Sequence, residues 1–430
     1  MVHNSHSHID MLSVEEAFDR IIQCFNILDY EEQNILDALG QVLAEDIYSP
    51  IDIPSMTNSA MDGYAVRYVD TEGANQQHPN LLKVIDTVAA GQIPQTAISP
   101  HTAIRIMTGA PIPSGADAVV PFENTDEKER LDSKTDLKNI GVCSKIDCGE
   151  NIRPSGEDVK QGELALAKGT NLRPYEIGVL ASIGVNTVKV IRRPRIALLA
   201  TGDELITPDQ PGRPGKIFDS NSYSLISAIV DCGGIPKYLG IAKDTTSDVH
   251  SKLDEGLSTD LIITSAGVSK GDYDVVKDVL SERGNIDFWS VRMRPAKPLA
   301  FGFIDGEHGR TIPHLGLPGN PVSCLIAFEI FGRPAILKML GKSSLHKRTV
   351  QAILKGSISN PDKRRVFARV RVSKQDDIYY ATPTGPQGSN ILTSMSKANG
   401  LAICHENIPF KSSGDAVEVI LLDSNNDFPI

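Results

Sequence analysis

The sequence predicts a multidomain α/β plus β protein. It reads as a central doubly wound, mostly parallel α/β domain, an inserted β-rich domain, a helical and extended linking domain, and a small C-terminal β-barrel domain. Three observations carry that expectation. Between residues 195 and 340, apolar runs such as "RIALLAT", "PKYLGIA" and "DLIIT" alternate with helix-periodic stretches, the βαβ pattern of a parallel sheet. From about 50 to 153 the texture turns to short β-like runs cut by glycine and proline. From 345 onward the chain again reads as short strands.

In chain order, the polar start with His3, His6 and His8 reads as a disordered tail. Ser13-x-x-Glu16 has the form of a capping box, and Ala17, Phe18, Ile21, Ile22 and Phe25 follow at helical spacing. The stretch "EEQNILDAL" predicts a second short helix ending at Gly40, and "QVLAEDIYSPIDIP" an extended run. "LLKVIDTVAA", "HTAIRIMTG" and "DAVVPFE" read as strands, and "NTDEKERLDSKTDLKN" as a solvated loop. "ELALAKGTNLRPYEIGVLASIG" brings helical periodicity back. The β-rich middle is therefore read as an insertion: residues 1–49 and 154–176 form the linking domain, 50–153 the insert, 177–340 the α/β domain and 341–430 the C-terminal β domain.

Composition narrows the function classes. The 430 residues are 40% hydrophobic and 23% charged, enough for several cores. A formal charge of −11 with a single Trp argues against wrapping nucleic acid. No apolar run approaches the ~20 residues of a membrane helix, and the start lacks the pattern of a secretory signal. Six scattered cysteines without a CxxC point to a reducing, cytoplasmic setting.

The stretch "TSAGVSKGDYD" (264–274) contains Gly267-Val268-Ser269-Lys270-Gly271, which matches the G-x-S-x-G nucleophile elbow. Gly267 does not abut the preceding strand, however, and no HGGG-type oxyanion segment is present; His308, His314, His346 and His405 are the downstream candidates for a triad. The competing reading is a ligand loop. "LLATGDEL", "IITSAGVSKGDYD" and "LGLPGNPVS" each pass from an apolar run into a Gly-containing polar loop and then toward a helix. Glycine admits close backbone approach, and N–H groups at a helix start attract anions. These loops carry Asp203, Glu204, Asp272 and Asp274, with Asp244 after the next strand; carboxylates beside a phosphate make chemical sense with Mg²⁺ between them. Arg294 and Lys297 offer cationic partners, as does the cluster Arg364, Arg365 and Arg369. Gly341-Lys342-Ser343 fails as a Walker A motif, and no GxGxxG follows a strand.

The segments "LSVEEA", "SAMDGYAV", "RIMTGAPIPSGADAVV", "NIRPSGEDV", "ATGDEL", "SAGVSKGDYD", "RPAKPLAFG", "LGLPGNPVS" and "GPQGSN" together resemble the MoeA family of molybdopterin molybdenumtransferases, related to the gephyrin E domain. They occur in the family's order across residues 12–400. The resemblance implies a Mg²⁺-assisted transferase that inserts molybdate into adenylylated molybdopterin, releases AMP and forms molybdenum cofactor. It further implies a homodimer of four-domain chains whose site lies between the α/β domain of one subunit and the β-rich domain of the other. A functional link to the adenylyltransferase of the same pathway goes with it.

By motif, the resemblance assigns chemistry to Asp62, Thr108, Glu204 and Asp274. It matches Asp244, Arg153, Asp158, Pro318, Pro321 and Ser389 to family motifs, and on chemical grounds metal binding falls to Asp244 and Asp274, and substrate and cofactor contacts to Arg153, Asp158, Gly267, Ser269, Gly271, Arg294, Lys297, Pro318, Gly319, Pro321, Arg369 and Ser389. Thr108 and Arg153 or Arg369 are the expected donors to molybdate. The chain departs from the family at Ala266, where glycine is usual, and at Arg294-Pro295-Ala296-Lys297, where K-P-G-K is common. Two other functions remain open on these residues: adenylylation of molybdopterin, and a gephyrin-like binding scaffold.

Overall fold

The computed structural model describes residues 11–266, 268, 275–306 and 309–422. The chain forms two compact units: one from the chain up to Glu31, Gly40–Val42 and Lys189 onward, the other from Glu32–Leu39 and Leu43–Val188.

The Val14–Gln23 helix of the first unit starts as its sequence dictates. Ser13 Oγ accepts the Glu16 N–H at 3.1 Å, and the Glu16 carboxylate accepts the Ser13 N–H at 2.8 Å. Its Val14, Ala17 and Ile21, with Phe25 beyond it, pack into the core built by Ile196, Leu198, Ile263 and Leu315 of the central sheet. That sheet has six strands in the order Ile235–Ala242, Arg195–Thr201, Leu261–Ser265, Thr311–Leu317, Pro298–Asp305 and Gly284–Ser290. The first four run parallel and the last two antiparallel. Helices Ser220–Asp231, Thr246–Gly256, Val275–Arg283 and Pro321–Ala327 cover it, so both of its faces carry buried aliphatic clusters.

The C-terminal strands close on themselves. Arg365–Gln375 pairs with Ile378–Pro383, then Thr349–Leu354, Ala416–Leu421 and Gly400–Cys404, which returns to Arg365–Gln375. This five-stranded barrel has no free edge in its ring, and its interior is filled by small and branched residues such as Ala352, Val370, Ala402 and Val419.

The second unit holds a five-stranded sheet in the order Ala118–Pro121, Gly63–Val66, Thr102–Ile106, Asn80–Val88 and Asn139–Val142. Two local expectations fail here. Residues 35–39 do not form a helix: Tyr30–Asn34 is extended, and Asn34 Oδ1 accepts the Leu36 N–H at 3.1 Å, an Asx turn that starts a turn instead. The charged stretch after Asn124 is not all solvated loop, because Glu127–Asp132 is helical and Glu127 is buried. Its carboxylate accepts the Tyr64 hydroxyl at 2.6 Å and Arg105 at 2.8 Å. No helix among the described residues is long and apolar enough to cross a membrane.

Candidate active-site cleft

The loops at the carboxyl ends of the parallel strands surround a cleft of about 910 Å³ in the first unit, where ligands of open α/β sheets bind. Of the residues expected from sequence, Glu204, Arg294, Lys297, Pro318, Gly319, Pro321 and Ser389 line it. Gly267, Ser269, Gly271 and Asp274 lie outside the described residues.

Each wall has a local cause. In the Thr201–Leu205 loop Gly202 has φ +139°, a conformation that favours glycine, and the Glu204 carboxylate folds back over it. The helix Pro321–Ala327 begins with Pro321 at its first turn after Asn320, as the sequence suggests. Asn320 makes no side-chain cap; the Val322 N–H instead donates to the Ser389 carbonyl at 3.0 Å, tying the α/β loop to the loop from the barrel. Asn221 Nδ2 donates to the Gly319 carbonyl at 2.8 Å. Ala266 and Ala296, two of the three departures from the family pattern, line the same cleft with φ of +109° and +71°, a region that favours glycine.

The lining carries both signs, with Glu204 and Asp219 beside three cations. Arg294, Lys297 and Arg364 face it, while Asp219 is buried and spends an oxygen on the Ser222 N–H at the start of its helix. Arg364 also bonds Asp362 and reaches the Met293 carbonyl at 3.3 Å. Burial opposes ionisation of Asp362, but the Arg364 hydrogen bond and charge, with the charge of Arg294, hold its carboxyl below the usual value. Ser265 at the end of its strand is 2% exposed, and its hydroxyl has no partner among the described residues. A buried orphan hydroxyl in a cleft wall is a natural contact for a polar ligand. Ser265, Ser323 and Arg364 were not singled out as site residues from sequence. Arg364 stands in the recognised basic cluster, and the two serines lie at the ends of recognised motif segments, Ser265 opening "SAGVSKGDYD" and Ser323 closing "LGLPGNPVS".

Arg369 is placed differently. It is 1% exposed and does not line the cleft. Its guanidinium donates to Ser394 Oγ at 2.9 Å and to the carbonyls of Gln387, Pro386 and Gly388 at 3.2, 3.2 and 3.0 Å. Burial pulls its pKa down to about 10, which leaves it a cation at neutral pH.

Beside the cleft loops, Asp203 and Asp244 stand at neighbouring strand ends and accept each other's backbone N–H, at 3.3 and 3.2 Å. Such a pair of hard oxygen donors fits Mg²⁺, which takes few carboxylates and completes its shell with phosphate and water oxygens. Among the described residues no cluster of three potential ligands occurs, so the pair does not form a full protein cage.

The second unit gathers the other expected residues. The Gly109 N–H bonds the Ser59 carbonyl, the Ala60 N–H bonds the Asn151 carbonyl, and Asn58 pairs with Arg153, so the "SAMDG", "TGAP" and "NIRPS" segments form one exposed cluster. Asp62 binds Thr108 within it. Asp158 is exposed on the same strand-and-loop run. His314, one of the triad candidates, is buried in the central sheet with Nε2 3.1 Å from Thr264 Oγ1, and burial pulls its pKa down to about 3. His346 stacks on Phe18 at 4.9 Å, so neither ring is arranged as a base toward the cleft.

The MoeA N-terminal region (domain I and II) matches residues 12–184, a probable molybdopterin binding domain matches 197–338, and the MoeA C-terminal region (domain IV) matches 351–422. Molybdopterin molybdenumtransferase 2 of Mycobacterium tuberculosis is 36% identical over 90% of this chain and 93% of its own length. The Bacillus subtilis molybdopterin molybdenumtransferase is 34% identical over 96% and 95%. A crystal structure of the Pyrococcus horikoshii molybdopterin biosynthesis MoeA protein aligns with a TM-score of 0.76 at 30% identity, covering 96% of this chain and all of that one. The matches run through nearly the whole sequence in one order, and the chain belongs to the MoeA family of molybdopterin molybdenumtransferases.

Proposed function

We propose that this protein inserts molybdate into adenylylated molybdopterin, releasing AMP and forming molybdenum cofactor. The observation that carries the reading is the loop-lined cleft at the carboxyl ends of the parallel strands, with Arg294, Lys297 and Arg364 in its wall. Both substrates are anionic, and a wall with Arg294, Lys297 and Arg364 gathers such groups where a carboxylate wall would repel them. The hydroxyls of Ser265, Ser323 and Ser389 and the loop N–H groups orient oxyanions without supplying a nucleophile. Asp203 and Asp244, with Asp274 by its motif, would hold Mg²⁺. When bound, the ion would draw negative charge from the phosphate oxygens of the leaving AMP.

The exposed Asp62–Thr108–Arg153 cluster, with Asp158 on the same run, belongs to the second unit. We assign it to a homodimer in which it completes the cleft of the partner copy. Mixing Asp62→Ala and Arg294→Ala chains would then restore part of the activity that each lacks alone. The protein would act in the cytoplasm, taking its substrate from the adenylyltransferase of the same pathway.

The deciding experiment incubates the purified protein with adenylylated molybdopterin, Mg²⁺ and molybdate. AMP release that depends on molybdate is expected. Formation of adenylylated molybdopterin from ATP, with no molybdate-dependent AMP release, would assign the sister adenylyltransferase activity instead.

A further inference from the structure

We infer that Glu127 is a positioning residue that holds the Arg105 guanidinium on the Phe122 ring and off Asp62, leaving one Asp62 oxygen free for chemistry. The role of Asp62 rests on the transferase reading, the placing of its neighbours on geometry alone.

The Gly63–Val66 and Thr102–Ile106 strands pair antiparallel, with Tyr64 opposite Arg105 and Gly63 opposite Ile106. Asp62 and Thr108 lie just beyond this pairing, and Asp62 Oδ1 takes both Thr108 bonds. Its Oδ2 has no partner among the described residues. The Asp62 carbonyl accepts the Phe122 N–H at 3.2 Å, which keeps residue 62 in line with the strand. Two residues before Tyr64, it falls on the face that Arg105 shares, a diagonal neighbour within reach of a long side chain. After the two Thr108 bonds, the charge of Arg105 also lowers the Asp62 pKa.

A guanidinium this near an exposed carboxylate would ordinarily close on it. Two contacts keep Arg105 elsewhere. Glu127 Oε1 accepts Arg105 Nη2 at 2.8 Å while its Oε2 accepts the Tyr64 hydroxyl at 2.6 Å, so both oxygens are engaged. The guanidinium carbon also lies 4.5 Å from the centre of the Phe122 ring. Glu127 has the stronger hold because it is buried, where the effective dielectric is lower than at exposed Asp62. Arg105 Nε is nonetheless buried without a partner among the described residues, a donor left idle. Without the Glu127 charge the guanidinium would turn to Asp62 and occupy Oδ2.

One ion pair is then broken from its two ends. Glu127→Gln keeps an acceptor for Tyr64 but frees Arg105. Its kcat for molybdate-dependent AMP release is expected to fall about tenfold or more, with KM for molybdate within about twofold, because a misplaced reacting group costs rate. Arg105→Met still packs on the Phe122 ring and leaves nothing to occupy Asp62. Its kcat should stay within about threefold of wild type although its stability falls too, and Arg105→Met added to Glu127→Gln should restore the lost rate. A role in folding alone would make the two single variants fail alike.

The Thr108 N–H, bonded to Asp62 Oδ1, reports on Asp62 without any turnover. Its amide NMR shift, followed against pH, should show a lower midpoint in Glu127→Gln than in wild type, since a closer cation favours the carboxylate. A wild-type kcat in folded Glu127→Gln would overturn the inference, as would a tenfold loss in folded Arg105→Met. Should Glu127→Gln not fold, Glu127→Asp takes its place: one methylene shorter, it cannot engage Tyr64 and Arg105 together, and an unchanged kcat and Thr108 midpoint there would overturn the inference equally. If the wild-type chain releases no AMP, it is the transferase reading that fails, and the Thr108 midpoint still decides whether Glu127 keeps Arg105 off Asp62.

Discussion

Asp62 Oδ1 accepts both the backbone N–H of Thr108, at 2.7 Å, and the Thr108 hydroxyl, at 2.9 Å. The hydroxyl hydrogen is thereby spent within the protein, so Thr108 offers lone pairs outward and not the donor expected of it toward molybdate. First the backbone N–H and then the hydroxyl hold the Asp62 carboxyl below its ordinary value of 3.8. A depressed carboxylate contributes stability that is present above the unfolded-state pKa and lost as pH falls through the folded one. The Tm deficit of Asp62→Ala should thus stay flat from about pH 8 to 5 and shrink below 3.8. A deficit independent of pH would show that the loop, and not the charge, is what Asp62 supports.

Asp203 and Asp244 brace each other through their backbone N–H groups. Asp244→Asn keeps an acceptor for the Asp203 N–H but removes a charge from the proposed Mg²⁺ site. The Mg²⁺ concentration for half-maximal AMP release should rise about tenfold, with the melting temperature little changed. An unaltered Mg²⁺ dependence would remove Asp244 from the metal site.

Ala266 carries a φ of +109°. That conformation costs an L-residue roughly 1–2 kcal/mol, part of which glycine gives back through its freer unfolded chain. Ala266→Gly should therefore stabilise the protein by about 0.5–1 kcal/mol in urea unfolding. A Cβ at Gly319 would lie 3.6 Å from the Ala266 methyl, an ordinary contact, so Gly319→Ala should be tolerated. Gly202→Ala should cost about 1–2 kcal/mol, because it takes up a φ of +139°, while the exposed Glu204 carboxylate can swing clear of the new methyl.

Glu127 holds Tyr64 and Arg105 in the second unit, 4% exposed itself. Burial first, then the hydrogen bond and charge of Glu127, raise the Tyr64 pKa. Glu127→Ala would leave the guanidinium and the phenol without their acceptor, at a cost of about 3 kcal/mol. Tyr64→Phe removes one of the two donors and should cost about 1 kcal/mol. Equal effects in chemical denaturation would deny the carboxylate its central place.

The elements legible in the sequence are those whose signals are local. Ser13 and Glu16 announce a helix start, and the alternation from 195 to 340 announces the sheet, because capping and periodicity act over a few residues. The "EEQNILDAL" helix failed since a single Asn34 side chain captured the backbone first. Glu127 looked solvated because its partners, Tyr64 and Arg105, lie far away in sequence. The antiparallel Gly284–Ser290 and Pro298–Asp305 strands surround the "RPAKP" loop, whose prolines and cations masked the strands beside it.

The same holds for the site. Glycine loops and cations read out directly, but whether an arginine faces a ligand or a ring of carbonyls depends on folding. Arg364 and Arg369 are separated by five positions on one run, and the first lines the cleft while the second is sealed beneath its wall.

The bond from the Val322 N–H to the Ser389 carbonyl has a thermodynamic consequence. Two walls of the cleft are joined before any ligand arrives, so their ordering entropy is met when the chain folds. Swinging the barrel loop outward would uncap the helix and strand a donor and an acceptor together. Ligand association at this wall should accordingly show the small structural rearrangement of a standing receptor.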